Sequence, residues 1–233
     1  MVTGTAITKK EDFSLELTQF AERGVDVGSA IADMLGGEDV DSTMLPSLTV
    51  PGAGSTIWEM PENDDETHSP EVEGIIIHWV ATRAFYTSNY GEGDGDGAPD
   101  CFSPDSITGF GNPGGECKTC PMNEWGSASQ GNGKACKERR MIYILRENSL
   151  VPMVVQAPSA SLKAFRTYVL AMLDRGGAKF GHTTRFGLRA ARAGNRTYSQ
   201  ITFGRGRKLS NEQAQLVRAY AEMVIPAIEA QSA

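Results

Sequence analysis

Val72–Thr87 reads VEGIIIHWVATRAFYT. Its β-branched and aromatic residues suit a pleated, half-buried surface, and the run is long enough for one strand to curl around a barrel. Working outward, Leu48–Met60 (LTVPGAGSTIWEM) also has strand character, with Pro51, Gly52 and Gly54 marking an edge or a bend. Pro61–Pro70 (PENDDETHSP) between them reads as a solvated acidic loop. On the other side, Arg139–Arg146 (RRMIYILR) and Leu150–Gln156 (LVPMVVQ) flank Glu147-Asn148-Ser149, whose residues suit a tight hairpin turn. Ser159 or Ser161 then caps a helix to about Leu173, with Leu162, Phe165, Val169 and Leu173 on one side and Gly176-Gly177 as its stop. Residues 182–193 and 196–204 alternate about the turn pair Gly194-Asn195. A last helix begins at Ser210, with Glu212 and Gln213 near its start, and stops or kinks at Pro226.

In order these are strand, long strand, cysteine-bearing insertion, strand pair, helix, strand, strand. The expected fold class is therefore mainly β with added helices (α+β): an OB-fold-like Greek-key barrel with a four-cysteine zinc-binding insertion, a mixed α+β sandwich being the alternative. Three regions are expected. Residues 1–47 form an N-terminal helical and acidic extension, with one or two short helices over 13–35 and a linker over 36–47. Residues 48–209 form the core, with the zinc insertion at about 91–137, and 210–233 form a C-terminal helix.

The 233 residues suffice for one large domain or two small ones. With 40% hydrophobic and 22% charged residues the composition is that of a globular protein, and no apolar run is long enough for a membrane span. Met1–Asp12 lacks the pattern of a secretory signal, so a cytoplasmic protein with reduced cysteines is expected. The formal net charge of −7 conceals a split: residues 1–133 carry 23 acidic and 5 basic side chains, 134–150 carry 2 and 5, and 151–233 carry 4 and 12. Such a chain is suited to holding a polyanion with its basic part. The plainer reading is that the two halves pair with each other.

Cys101, Cys117, Cys120 and Cys136 are all the cysteines of the chain, in a glycine-rich stretch almost without regular-element signals. A C-x2-C pair lets one turn place two thiolates on one ion, and Lys118 within that turn favours ionised sulfur. The outer two cysteines complete a tetrahedral set that leaves no open position, so the expected cofactor is a structural Zn²⁺. An iron-sulfur cluster suits the same ligands. A redox pair at Cys117 and Cys120 would belong near a βαβ pattern, which is not visible here. Glu92, Asp94, Asp96 and Gly97 resemble the start of a calcium loop, but Ser103 stands where a closing Glu is needed. His68, His78 and His182 show no ligand spacing, and no phosphate-loop, nucleophile-elbow or H-E-x-x-H motif is present.

Period-two alternation puts Arg185 and Arg189 on one face of their strand, away from Phe186 and Leu188, and Arg196 and Tyr198 on one face of the next, away from Ile201 and Phe203. Arg83 lies on the long strand with Trp79 and Phe85. Lys134, Lys137, Arg139 and Arg140 form a cluster beside Tyr143, and Arg205, Arg207 and Lys208 close the last strand. Cations that track a backbone and rings that stack on unpaired bases are what single-stranded nucleic acid requires. Trp79, Phe85, Phe165 and Phe203 are each better read as core. The expected nucleic-acid-binding residues are Arg83, Lys134, Lys137, Arg139, Arg140, Tyr143, Arg185, Arg189, Arg196, Tyr198, Arg205 and Arg207.

Pro99-Asp100-Cys101-Phe102-Ser103, Cys117-Lys118-Thr119-Cys120-Pro121-Met122-Asn123, Trp125-Gly126-Ser127, Gly133-Lys134-Ala135-Cys136-Lys137, Val151-Pro152-Met153 and Ala157-Pro158-Ser159 together resemble proteins of bacteriophages and mobile elements concerned with replication. Across about residues 70–205 the chain is similar to zinc-containing phage single-stranded DNA-binding proteins of the OB-fold type. The resemblance implies a non-enzymatic, sequence-neutral binder of single-stranded DNA acting in phage replication or recombination in the host cytoplasm, with replication or recombination proteins as further partners and no membrane. The rival expectation is a zinc-containing interaction module that binds a polymerase or host factor through an acidic half mimicking nucleic acid.

Overall fold

The computed structural model describes residues 44–61, 67–87, 98–129, 131–174 and 179–229. The one or two short helices expected over 13–35, the glycine pair after the first long helix, and the calcium-like acidic run all lie outside these residues, as does nearly all of the acidic extension. The described residues form eleven strands and two α-helices: β1 (Ser47–Thr49), β2 (Trp58–Glu59), β3 (His68–Ser69), β4 (Glu71–Phe85), β5 (Cys101–Ser103), β6 (Thr108–Gly111), β7 (Gly115–Glu116), β8 (Lys137–Leu145), β9 (Met153–Ala157), α1 (Leu162–Asp174), β10 (His182–Ala193), β11 (Arg196–Lys208) and α2 (Asn211–Glu229). The mainly β, α+β class is thus observed, in a mixed sheet.

β4 is the spine. It pairs with β8 from Ile75 to Ala84, with β10 over Glu71–Gly74 and with β5 over Arg83–Phe85. The sheet runs β1-β9-β8-β4-β5-β6-β7, and β10 carries β11 from its pairing with β4. All these pairs are antiparallel except β1 on β9. The strand expected over Leu48–Met60 is broken, because Ala53 (φ 56°) and Gly54 (φ 78°) turn the chain between β1 and β2. A Cβ on Gly54 would meet Thr197 Cγ2 at 2.5 Å, so the turn can approach β11 only as glycine.

The expected closed barrel is not seen. Among the described residues β9 and β11 share no ladder. A 3₁₀ turn at Ser159–Ser161 spans the gap, with Ile201 N donating to Ser161 Oγ at 2.9 Å and Gln200 Nε2 donating to Ala160 O. This also explains why neither serine caps α1: Ser161 is fully buried and its hydroxyl serves β11 instead. At α2 the expected cap is present, Gln213 N donating to Ser210 Oγ (3.1 Å) and Ser210 N to Gln213 Oε1 (2.9 Å). Pro226 lies inside this helix rather than ending it.

Two cores lie on opposite faces of the sheet. On one, Ile76, Ile142, Ile144, Val155, Phe186 and Ile201 pack with Trp58 and with Phe165 of α1, while Trp79 and Phe203 add a ring cluster with centroids 5.4–5.6 Å apart. On the other, Val217, Tyr220, Ala221 and Val224 of α2 cover Ile75, Ile77, Tyr143, Leu145 and Val154. The C-terminal helix is therefore part of the core. Leu173, expected on the packed side of α1, is 66% exposed. Within the described residues no helix is long and apolar enough to cross a membrane.

Candidate metal centre and cationic surfaces

Between β4 and β8 the chain forms the cysteine-bearing insertion, whose strands β5, β6 and β7 extend the sheet from the C-terminal end of β4. The four cysteines are free thiols and border one cavity, together with Arg83, Ser103, Gly109, Met122 and Asn123. Cys101, Cys117 and Cys136 are buried. Backbone bonds fix the turns that carry them: Cys117 N to Ile107 O (2.8 Å), Asn123 N to Cys120 O (2.9 Å) and Cys136 N to Met122 O (2.8 Å). Gly109 completes the cradle. A Cβ there would stand 2.9 Å from Cys101 Sγ and 3.8 Å from Cys117 Sγ.

Burial pushes the Cys136 thiol up; the Arg83 guanidinium opposes this, and the sulfurs of Cys117, Cys120 and Cys101 push it further up. The other three sulfurs thus act on Cys136 as like charges, an arrangement that a bound cation would relieve. Among the described residues, however, no three His, Cys, Asp or Glu side chains converge closely enough to hold a metal ion as they stand. The sulfurs are gathered around a common space without being drawn into a coordination sphere. Their chemistry, four soft donors with no carboxylate among the described residues that border the cavity, suits a closed thiolate site.

Asn123, which sequence reasoning passed over, ties this centre together. Its Oδ1 accepts from Arg83 Nη1 (2.7 Å) and Lys134 Nζ (3.0 Å), and its Nδ2 donates to Cys117 O (2.7 Å). Arg83, expected to meet nucleic acid, therefore faces the cysteines. Comparison with protein-family models, curated proteins and solved structures finds no match.

The other residues expected to meet nucleic acid divide into three groups. Tyr143 is 2% exposed and belongs to the α2 core, because its strand parity matches Leu145 and not the surface. Arg140 and Arg207 are paired: Arg140 with Glu138 at 2.8 Å, and Arg207 with Glu73 at 3.2 Å and Glu147 at 2.7 Å. Arg185 lies 3.7 Å from Glu71 and is partly exposed. The carboxylates that pair with these arginines come chiefly from β4 and β8, brought alongside by the ladders. Arg189 and Arg196 are exposed on the β10–β11 hairpin with Tyr198 half-buried between them in register, and no ion pair engages them among the described residues. Arg189 donates to Gln200 Oε1 at 2.6 and 2.9 Å. Arg205 is exposed and touches His182. Lys134 stands 5.5 Å from the Trp125 ring, Arg139 5.6 Å from the Tyr86 ring, and Lys137 Nζ donates to Lys134 O.

The register separates these cations into two patches. The hairpin tip projects past the N-terminal end of β4, whereas Lys134, Lys137 and Arg139 sit by its C-terminal end. Also unforeseen are the exposed Phe102, Ile107, Phe110 and Trp125, the last 80% exposed. Alternation in Cys101-Phe102-Ser103 was the available signal: with Cys101 and Ser103 turned inward, Phe102 is left outside.

Proposed function

We propose that the protein is a non-enzymatic, sequence-neutral binder of single-stranded DNA with an OB-fold-like core, acting in replication or recombination. The observation that carries the reading is the gathering of all four cysteines around one cavity in an insertion flanked by exposed cations and rings. The ladder order β9-β8-β4-β10-β11 supports the OB-like assignment. Cys101, Cys117, Cys120 and Cys136 would hold a Zn²⁺, which supplies a cross-link and no open coordination position. Arg83 and Lys134, held through Asn123, offset the negative charge of such a thiolate set. Arg189, Arg196 and Tyr198 on the hairpin, and Lys137 and Arg139 beside the insertion, are the cations and ring left to meet a strand.

The test combines metal analysis of the purified protein with titration of single-stranded and duplex DNA across salt concentrations. Single strands should be preferred, with a negative log–log salt slope, and replacing Arg189 and Arg196 by Gln should reduce that slope by about 0.7 for each phosphate no longer neutralised. Protein that is folded and metal-free, or that binds a purified polymerase but no DNA at low salt, would exclude the proposal.

A further inference from the structure

In an antiparallel ladder, residues directly opposed on neighbouring strands point to the same face. Lys137 on β8 is opposed to Ala84 on β4, Ala84 to Phe102 on β5, and Phe102 to Phe110 on β6. These four residues therefore form a single transverse row. Arg139, opposed to Thr82, is on the same face one row along, and its guanidinium lies against the ring of Tyr86 at 5.6 Å. The opposite face of the same strands carries Arg83, Phe85, Cys101 and Ser103, all of which border the cysteine cavity. The insertion is two-sided, with sulfurs on one face and rings with cations on the other.

We infer that Phe102 and Phe110 are the base-stacking platform of this protein, with Lys137 and Arg139 engaging the phosphates of the same strand; the inference rests on the single-stranded DNA reading above. Phe102 is 37% exposed and Phe110 55% exposed, although both belong to regular ladders where a buried face was equally open to them. Adjacent uncovered rings on a sheet form a surface that unpaired bases can cover with their own flat faces. Charge decides the occupant. Two cations share these rows, while of the carboxylates on this face among the described residues Glu116, opposite Thr108, stands at the outer margin beyond Phe110 and Asp100, one row beyond Phe102, already accepts from Thr87 N and Oγ1. An apolar partner surface would leave Lys137 and Arg139 without a counter-charge, whereas a phosphodiester backbone running along the rows supplies one.

The experiment titrates the full-length protein with an oligothymidylate of about 16 nucleotides. Phe102→Leu/Phe110→Leu keeps apolar bulk but removes the rings, and should weaken binding by about 5- to 150-fold for each base left unstacked, with the salt slope unchanged. Phe102→Tyr/Phe110→Tyr should retain the parent affinity, and Lys137→Gln should lower the slope by about 0.7. An unaltered thermal transition in each variant checks that the fold is intact. If the parent binds and the double Leu variant binds equally well, the platform is overturned while the DNA-binding reading stands. If the parent does not bind at low salt, both fall. A parent that self-associates in sedimentation, with dissociation by the Leu variant and no change in oligonucleotide affinity, would identify the patch as an interface between copies and overturn the inference.

Discussion

A methyl group on Gly109 would stand 2.9 Å from Cys101 Sγ, in a cradle whose other wall is Cys117. Glycine here answers to space, because a side chain is forbidden by Cys101 Sγ on the neighbouring β5, while Cys117 Sγ, just past β7, stays at ordinary contact distance. Gly109→Ala should destabilise the insertion by about 1–3 kcal/mol, the cost of overpacking so close an approach, and should lower the bound zinc per chain if the cysteines hold that ion. Thermal melting and metal analysis of the variant check both, and an unchanged melting temperature would mean that the cradle is not closed as described. Trp58 makes a comparable point in the core. It is fully buried, and its indole N–H donates to Phe186 O at 2.9 Å, joining a short edge strand to β10 across the chain.

The 3₁₀ turn at Ser159–Ser161 does at the level of elements what a strand ladder would do in a closed barrel. Ser161 Oγ takes the amide of Ile201 in a fully buried position and Ala160 O takes the Gln200 side chain, so β11 is held against the end of β9 by two side-chain bonds rather than by a register. Ser161→Ala leaves that amide without an acceptor and should cost about 1–3 kcal/mol in denaturant unfolding. Faster hydrogen exchange at Ile201, with the β4–β8 ladder unaffected, would locate the weakening at this seam. Exchange rates identical to the parent would mean that the turn is not what joins the two strands.

For the molecule as a whole, the charge split seen in sequence is in part resolved internally: Glu71 and Glu73 of the acidic half meet Arg185 and Arg207 of the basic half. Burial alone would raise the Glu73 carboxyl, but hydrogen bonds from Thr183 Oγ1 and from the main chain and guanidinium of Arg207 outweigh it, and the net direction is downward. Glu138 behaves alike, burial raising it and Arg140 and Arg166 together lowering it by more. A carboxyl depressed in the folded state stabilises the fold above its unfolded value, near 4.3, and loses that contribution as pH falls through the folded value. Stability should therefore decline on acidification below about pH 4.5. Glu73→Gln should be less stable than the parent at pH 7 and should flatten this acid limb in melting temperature measured from pH 3 to 7. An acid limb as steep as the parent's would rule Glu73 out as its source.

Residue type and spacing alone determined the long strand, the hairpin turns at Asn148 and Gly194, the Ser210 cap, the α+β class and the candidacy of four cysteines, since each depends on backbone preference or short-range periodicity. Tertiary structure alone decided which arginines remain free, that Tyr143 is core while Phe102 and Phe110 are surface, that Ser161 bridges rather than caps, and that the sheet stays open between β9 and β11. Those outcomes depend on which strands become neighbours and in what register, and pairing partners distant along the chain leave no mark in local sequence.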